Sequence, residues 1–285
     1  MRQGALVIWL VIGLLAVLDL SFCQHLHMRF YHWAPLALAC AVTGGLSVFY
    51  RVSGRSAGLA RAAHWTLLWL LFVNAGTVLT YIAATCGEPV HDAMLTAIDT
   101  ALGFDWYGWA TFLAPHPALR FVLWLAYMSL FPQILISIFW FSLAELDYYN
   151  YELLLNNIIS LLVTTAIFSM FPALGVQTPG REVELQTLIM LRNGNPSAFD
   201  LSHLQGLISF PSYHTVLAVL LTHAHRRSKL LIPIAAINGV MLLSIPPFGG
   251  HYLTDMIGGA IVALLAIAAT SAAPRPRRIA PATTA

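Results

Sequence analysis

The chain has 285 residues, of which 59% are hydrophobic and 9% charged, with a net charge of +2. Soluble domains carry about 25% charged residues, so this composition, with a mean hydropathy of +0.75, requires lipid as the solvent. The small net charge excludes a strong nucleic-acid field, so no nucleic-acid partner is expected. The three cysteines, Cys23, Cys40 and Cys86, show no metal or redox spacing and read as buried apolar thiols.

A membrane span needs about 20 mostly apolar residues. Eight candidate spans follow in chain order: Ala5–Phe22, Trp33–Tyr50, His64–Thr85, Leu119–Leu143, Leu153–Phe171, Leu207–Ala224, Leu230–Phe248 and Tyr252–Ser271. The first is long and lacks a small-x-small cleavage site, so it reads as a retained span rather than a signal peptide. No longer period repeats, which excludes solenoids and propellers. The expected fold is an all-α, multi-pass helix bundle. Residues 1–60 would form two N-terminal spans and 61–272 a six-helix core with an interfacial segment at about 90–116. Residues 273–285 would form a basic tail.

Orientation follows from the placement of Lys and Arg. With the N-terminus inside, Arg2, Arg51, Arg55, Arg61, Arg226, Arg227, Lys229, Arg275, Arg277 and Arg278, ten of the fourteen basic residues, lie on the cytoplasmic side. An acidic loop from Glu145 to Glu152 on that side gives no support. The expected location is an integral, multi-pass one, with a bacterial inner membrane as the setting. Two longer segments face outward. One, His91 to His116, is amphipathic and aromatic and reads as an interfacial helix. The other, Pro172 to Gly206, reads as loop with a short helix.

Two stretches break the apolar rule. One is Phe210-Pro211-Ser212-Tyr213-His214-Thr215; the other is Gly249-Gly250-His251-Tyr252-Leu253-Thr254-Asp255. Both fall at the outer end of a span, so His214 and His251 reach one layer. On a helix, His251 and Asp255 are one turn apart on one face. A carboxylate there can hold one ring nitrogen and leave the other free, as catalytic bases are oriented. An Asp near the centre of a span costs ~2.5–3.5 kcal/mol on insertion scales, which also demands a partner. Ser212 can cap a helix whose free N–H groups form an anion site. An anion site beside two histidines points to phosphate.

These stretches resemble the last two signature motifs of the type 2 phosphatidic acid phosphatase superfamily, Pro-Ser-Gly-His and Ser-Arg followed, after five residues, by His, three residues and Asp. FPSYH, GGHYLTD and LGFDW (Leu102 to Trp106) look closest to the branch with fungal inositol phosphorylceramide synthase and its bacterial relatives. The resemblance implies a membrane enzyme acting on a lipid phosphoester or pyrophosphate, with His251 as nucleophile, Asp255 as its orienting partner and His214 as proton donor. No metal or other cofactor enters that scheme. Water as acceptor would make it a phosphatase; a lipid or sugar hydroxyl would make it a phosphotransferase.

The family's first motif, Lys, six residues, Arg-Pro, is absent. Ser244 matches the Ser of the last motif, Ile245 stands at its Arg, and Tyr213 replaces the Gly of the other. Charge on the transferring group still has to be met. Arg181 and Arg192 are the candidates, with solvated loop charges as the alternative; Ser212, Tyr213 and Ser244 complete the expected phosphate-binding set. Arg120 reads as a snorkelling anchor. His25, His27 and His32 read as a structural cluster, with a metal site the lesser alternative. Asp99 and Asp105 read as headgroup or water contacts. Two rival functions remain: a proton-coupled transporter using buried His and Asp, and a hydrolase with Zn²⁺ on His214, His251 and Asp255.

Overall fold

The computed structural model describes residues 2–194 and 198–271. The expected basic tail, with Arg275, Arg277 and Arg278, lies outside them. The helices are α1 (Arg2–His25), α2 (Ala34–Ser53), α3 (Ala57–Ala84), α4 (Asp92–Ala101), α5 (Trp106–Leu113), α6 (Pro117–Met128), α7 (Leu130–Leu143), α8 (Asp147–Met170), α9 (Glu182–Arg192), α10 (Tyr213–Ala224), α11 (Leu231–Gly249) and α12 (Leu253–Ser271). Six of them are long and apolar enough to cross a membrane. A seventh span results if α6 and α7, bent by 46° at their junction, count as one. The protein is therefore an all-α, multi-pass membrane bundle.

The sixth expected span is the main departure. Only α10, twelve residues long, is helical there, or about 18 Å at 1.5 Å per residue. Pro211 supplies no N–H and disfavours helix in the residue before it, so the backbone ahead of Ser212 is non-helical. Such backbone survives at membrane depth when protein covers it, and Leu207, Ile208 and Ser209 are all buried.

The core is built on α3, α7, α8 and α10. Trp65, Leu68, Trp69 and Phe72 of α3 pack with Ile134, Ile138 and Phe141 of α7 and with Leu154 and Leu161 of α8. Polar side chains of α8 join its neighbours, as interhelical hydrogen bonds do in spans. Asn150 donates to the Ser142 hydroxyl at 3.0 Å, and Asn156 accepts from Thr270 of α12 at 2.8 Å. Helix α2 contributes only Ser47 to the interior.

The acidic loop has a reason to be where it is. Arg61 meets Asp147 at 3.2 Å and Glu145 at 3.3 Å, and Arg226 meets Glu152 at 2.8 Å. These pairs join the ends of α3, α8 and α10 at one end of the bundle. At the other end, a parallel pair of short strands, β1 (Arg29–Tyr31) and β2 (Ala198–Asp200), ties the turn after α1 to the segment after α9. His32 of the expected histidine cluster meets Asp200 there at 2.7 Å. The cysteines do not share one setting. Cys23 is buried, but Cys86 is exposed because it lies in the turn beyond α3.

Helix α12 approaches the start of α10 more closely than side chains would permit. A Cβ on Gly259 would stand 2.3 Å from the Ser212 carbonyl oxygen, and one on Gly258 would stand 3.1 Å from the Phe210 ring. The Ser212 N–H donates to the Asp255 carbonyl at 2.9 Å. Gly259→Ala forces these backbones apart. It should lower stability by about 1–3 kcal/mol, the usual cost of overpacking, read as a lower thermal unfolding midpoint in detergent.

Candidate active site

The junction of α10 and α12 gathers the polar residues of both motifs. Ser212 caps α10, its hydroxyl accepting from the Thr215 N–H at 3.5 Å. His214 follows in the first turn, partly exposed and stacked on Tyr127 of α6 with ring centroids 4.5 Å apart. His251 lies in the short link between α11 and α12, and its ring centroid is 6.3 Å from that of His214. Its Nδ1 lies 3.3 Å from Asp255 Oδ2, and the same oxygen accepts the Tyr252 N–H at 2.9 Å.

Nδ1 thus faces the Asp255 carboxylate. Gly249 keeps space beside the ring. A Cβ there would stand 3.4 Å from Nε2, 2.8 Å from the ring's Cδ2 and 3.3 Å from the Tyr127 hydroxyl. Burial pushes the His251 imidazole down to about 4. The Arg181 charge acts in the same direction, while Glu184 and a hydrogen bond with the Ser209 backbone oppose it. A neutral imidazole at ordinary pH is the state that can act as a nucleophile.

The two expected arginines separate. Arg192 donates to the backbone carbonyls of Cys86 and Glu88, away from the histidines. Arg181 is buried beside the site. Its Nη1 donates to Val176 O at 2.9 Å and Gly250 O at 3.4 Å, and its Nη2 to Leu174 O at 3.3 Å and Glu184 Oε1 at 2.6 Å. Its Nε donates to Glu184 Oε2 at 3.3 Å. Every N–H of the fork is engaged, so Arg181 locks the loop after α8 onto the loop before His251. Glycines allow this approach. Gly175 and Gly250 take φ of 77° and 62°, and a Cβ on Gly250 would stand 2.2 Å from both Arg181 Nη1 and Val176 O.

Two other expected contacts point elsewhere. The Tyr213 hydroxyl bonds to Asn157 of α8, and buried Ser244 turns back to Met241 O at 2.6 Å within α11. Asp105 caps α5 by accepting from Gly108 N at 2.9 Å.

Asp99 does more than meet water. Its carboxylate accepts the N–H groups of Leu253 and Thr254, each at 2.8 Å, and the Thr254 hydroxyl at 2.6 Å, so it caps α12 from α4. Asp92, two turns earlier on α4, accepts the N–H of Gly175 at 2.8 Å and of Leu174 at 3.0 Å. The Tyr252 hydroxyl also donates to it, at 3.2 Å. Sequence reasoning missed Asp92. Its signal was the seven-residue interval to Asp99 on an amphipathic helix, which sets both on one face. Gly249 was missed too, although the Gly-Gly before His251 marked a close approach.

Among the described residues, no group of three His, Cys, Asp or Glu side chains is placed to hold a metal ion. Polytopic helices carrying a buried imidazole–carboxylate pair opposite a second imidazole define an integral membrane protein with a histidine site at one end. A family model described as the PAP2 superfamily matches residues 93–269. This is more than half of the chain, and the chain belongs to the PAP2 superfamily, with a phosphatase-type activity on phosphoesters. No curated protein and no solved structure matches it.

Arg181→Met removes the fork and leaves the half-buried Glu184 without its cation. Breaking such a pair costs about 3–5 kcal/mol. Thermal unfolding in detergent should show a correspondingly large loss, whereas Arg192→Met should change the midpoint little.

Proposed function

We propose that the chain is a lipid phosphatase or phosphotransferase working through a phosphohistidine on His251. The observation that carries this reading is the Nδ1–Asp255 contact of 3.3 Å on a ring whose centroid lies 6.3 Å from that of His214. In the first step Nε2 attacks phosphorus. The N–P bond forms, the bond to the leaving oxygen breaks, and that oxygen takes a proton from His214. In the second step water or a lipid hydroxyl attacks phosphorus and gives its proton to His214, and the N–P bond breaks. Asp255 orients the ring and balances the charge it gains.

The N–H groups at the start of α10 offer the phosphoryl oxygens an anion site, with Ser212 as its cap. Arg181, its charge met by Glu184, holds the loop beside the site rather than contacting the phosphate. Two features support a lipid substrate: the site lies at one end of a membrane bundle, and it is flanked by the aromatic segment α4–α5. Arg51, Arg55, Arg61, Arg226, Arg227 and Lys229 gather at the opposite end. This favours a site on the non-cytoplasmic side, in a bacterial inner membrane. The LGFDW, FPSYH and GGHYLTD wording favours the branch resembling inositol phosphorylceramide synthase, in which the acceptor would be a hydroxyl rather than water.

The test uses purified protein in detergent with radiolabelled lipid phosphates and pyrophosphates and excess EDTA. Metal-independent turnover is expected, with a phosphoenzyme that is stable to base and labile to acid. His251→Ala should abolish both, and His214→Ala should slow turnover about 10²–10⁴-fold, the usual scale for a general acid. Undiminished turnover in His251→Ala would overturn the assignment. Products separate hydrolysis from transfer.

Two further outcomes follow. If neutral His251 is the nucleophile and protonated His214 the donor, activity is lost as pH falls through the His251 pKa and again as pH rises and His214 loses its proton. The acid limb of kcat/KM should therefore lie well below the ordinary His value of about 6.5, toward about 4. Gly249→Ala should displace the His251 ring and cut kcat by tenfold or more, on the scale of a misplaced reacting group, ~10²-fold for 1 Å.

A further inference from the structure

A cavity of about 450 Å³ lies between α5, α11 and α12. Its walls include Trp109 and Phe112 of α5, Leu243 and Pro246 of α11, and Leu253 and Met256 of α12. This volume falls within the range of small-molecule sites, roughly 300–1,000 Å³. The carboxylate at its rim, Asp105, already has an oxygen on Gly108 N, so the lining presents hydrocarbon and aromatic surface. Trp106 of α5 donates to Pro246 O at 3.3 Å, which holds α5 over α11.

The groove adjoins the first turn of α12, which carries Asp255. Leu253 and Met256 are three residues apart and share a face of α12, and Asp255 stands between them in sequence with its carboxylate on His251. The floor of the groove is therefore the reverse side of the turn that holds the nucleophile. Its outer wall belongs to a helix that leaves Tyr107 and Phe112 exposed, as rings at a membrane interface are. An apolar groove beside a phosphoester site, set against bilayer, favours an alkyl chain as its occupant over water or a polar headgroup.

We infer that this groove holds one hydrocarbon chain of the lipid whose phosphate is placed at His251, and that its end sets the chain-length preference. The inference rests on the proposed reading of His251. Trp109 and Phe112, stacked with centroids 5.6 Å apart, form the α5 wall, and Leu243 lies opposite on α11.

The test compares a homologous series of n-alkyl phosphates, short to long, on the full-length protein in detergent. For wild type, kcat/KM should climb with chain length by up to roughly fourfold per methylene, the scale for burying one such group, and then level off. Leu243→Trp fills the groove and should bring the plateau to shorter chains while leaving the shortest alkyl phosphate unchanged. Met256→Trp checks the same point from α12. The same chain-length profile in both variants would overturn the inference.

A second measurement needs no turnover. A long-chain alkyl phosphate carrying a diazirine in its chain should label the α5 and α11 peptides, and excess unlabelled long-chain alkyl phosphate should compete. Label that no excess displaces, or that falls elsewhere, means bulk lipid only and overturns the groove. Competed labelling without turnover of any chain keeps the groove and overturns the proposed reaction.

Discussion

The first turn of α12 carries the site, and it is held from three directions. Its Asp255 carbonyl takes the Ser212 N–H, its Asp255 carboxylate takes the Tyr252 N–H and the His251 ring, and its exposed N–H groups at Leu253 and Thr254 end on Asp99. Lipid provides no water to satisfy these groups, and each one left open costs several kcal/mol. The cost of leaving any of them unmade fixes where α10, α12 and α4 stand relative to one another. The spacing of His214 and His251 follows from that placement.

The interfacial helix α4 is consequently part of the site's frame. Asp92 and Asp99 project from one face and hold the two loops that meet over the histidines. Arg181 closes the same frame from the loop after α8. Together they use up donors and acceptors that a loop end would otherwise expose. An arginine with every donor engaged cannot wrap a phosphate without giving up bonds. Among the described residues, no free cation stands in direct contact with His251 in place of the Lys and Arg of the family's first motif.

The opposite end of the bundle obeys the same constraint with charges. Arg61 and Arg226 would be costly near hydrocarbon unless paired, and Asp147 and Glu152 pair with them. The acidic loop that gave no support to an orientation rule based on Lys and Arg is the counterpart of the basic residues that did.

The sequence by itself determined the bundle. Long apolar runs have no other solvent than lipid. The helical spacing expected for His251 and Asp255 is not what joins them: His251 stands in the link before α12, and the contact depends on how that link turns onto the helix. Pro211 and Ser212 do mark the start of α10, although the run before them read as span because apolar composition does not distinguish helix from buried extended chain. Only the tertiary structure decided which loop charge approaches the histidines. Arg181 and Arg192 look alike in sequence, and one ends at Gly250 while the other ends at Cys86 and Glu88. It also decided that Asp99 caps a helix 154 residues away, and that Gly175 and Gly250 meet. These depend on where distant segments pack, and no local period in the chain encodes that.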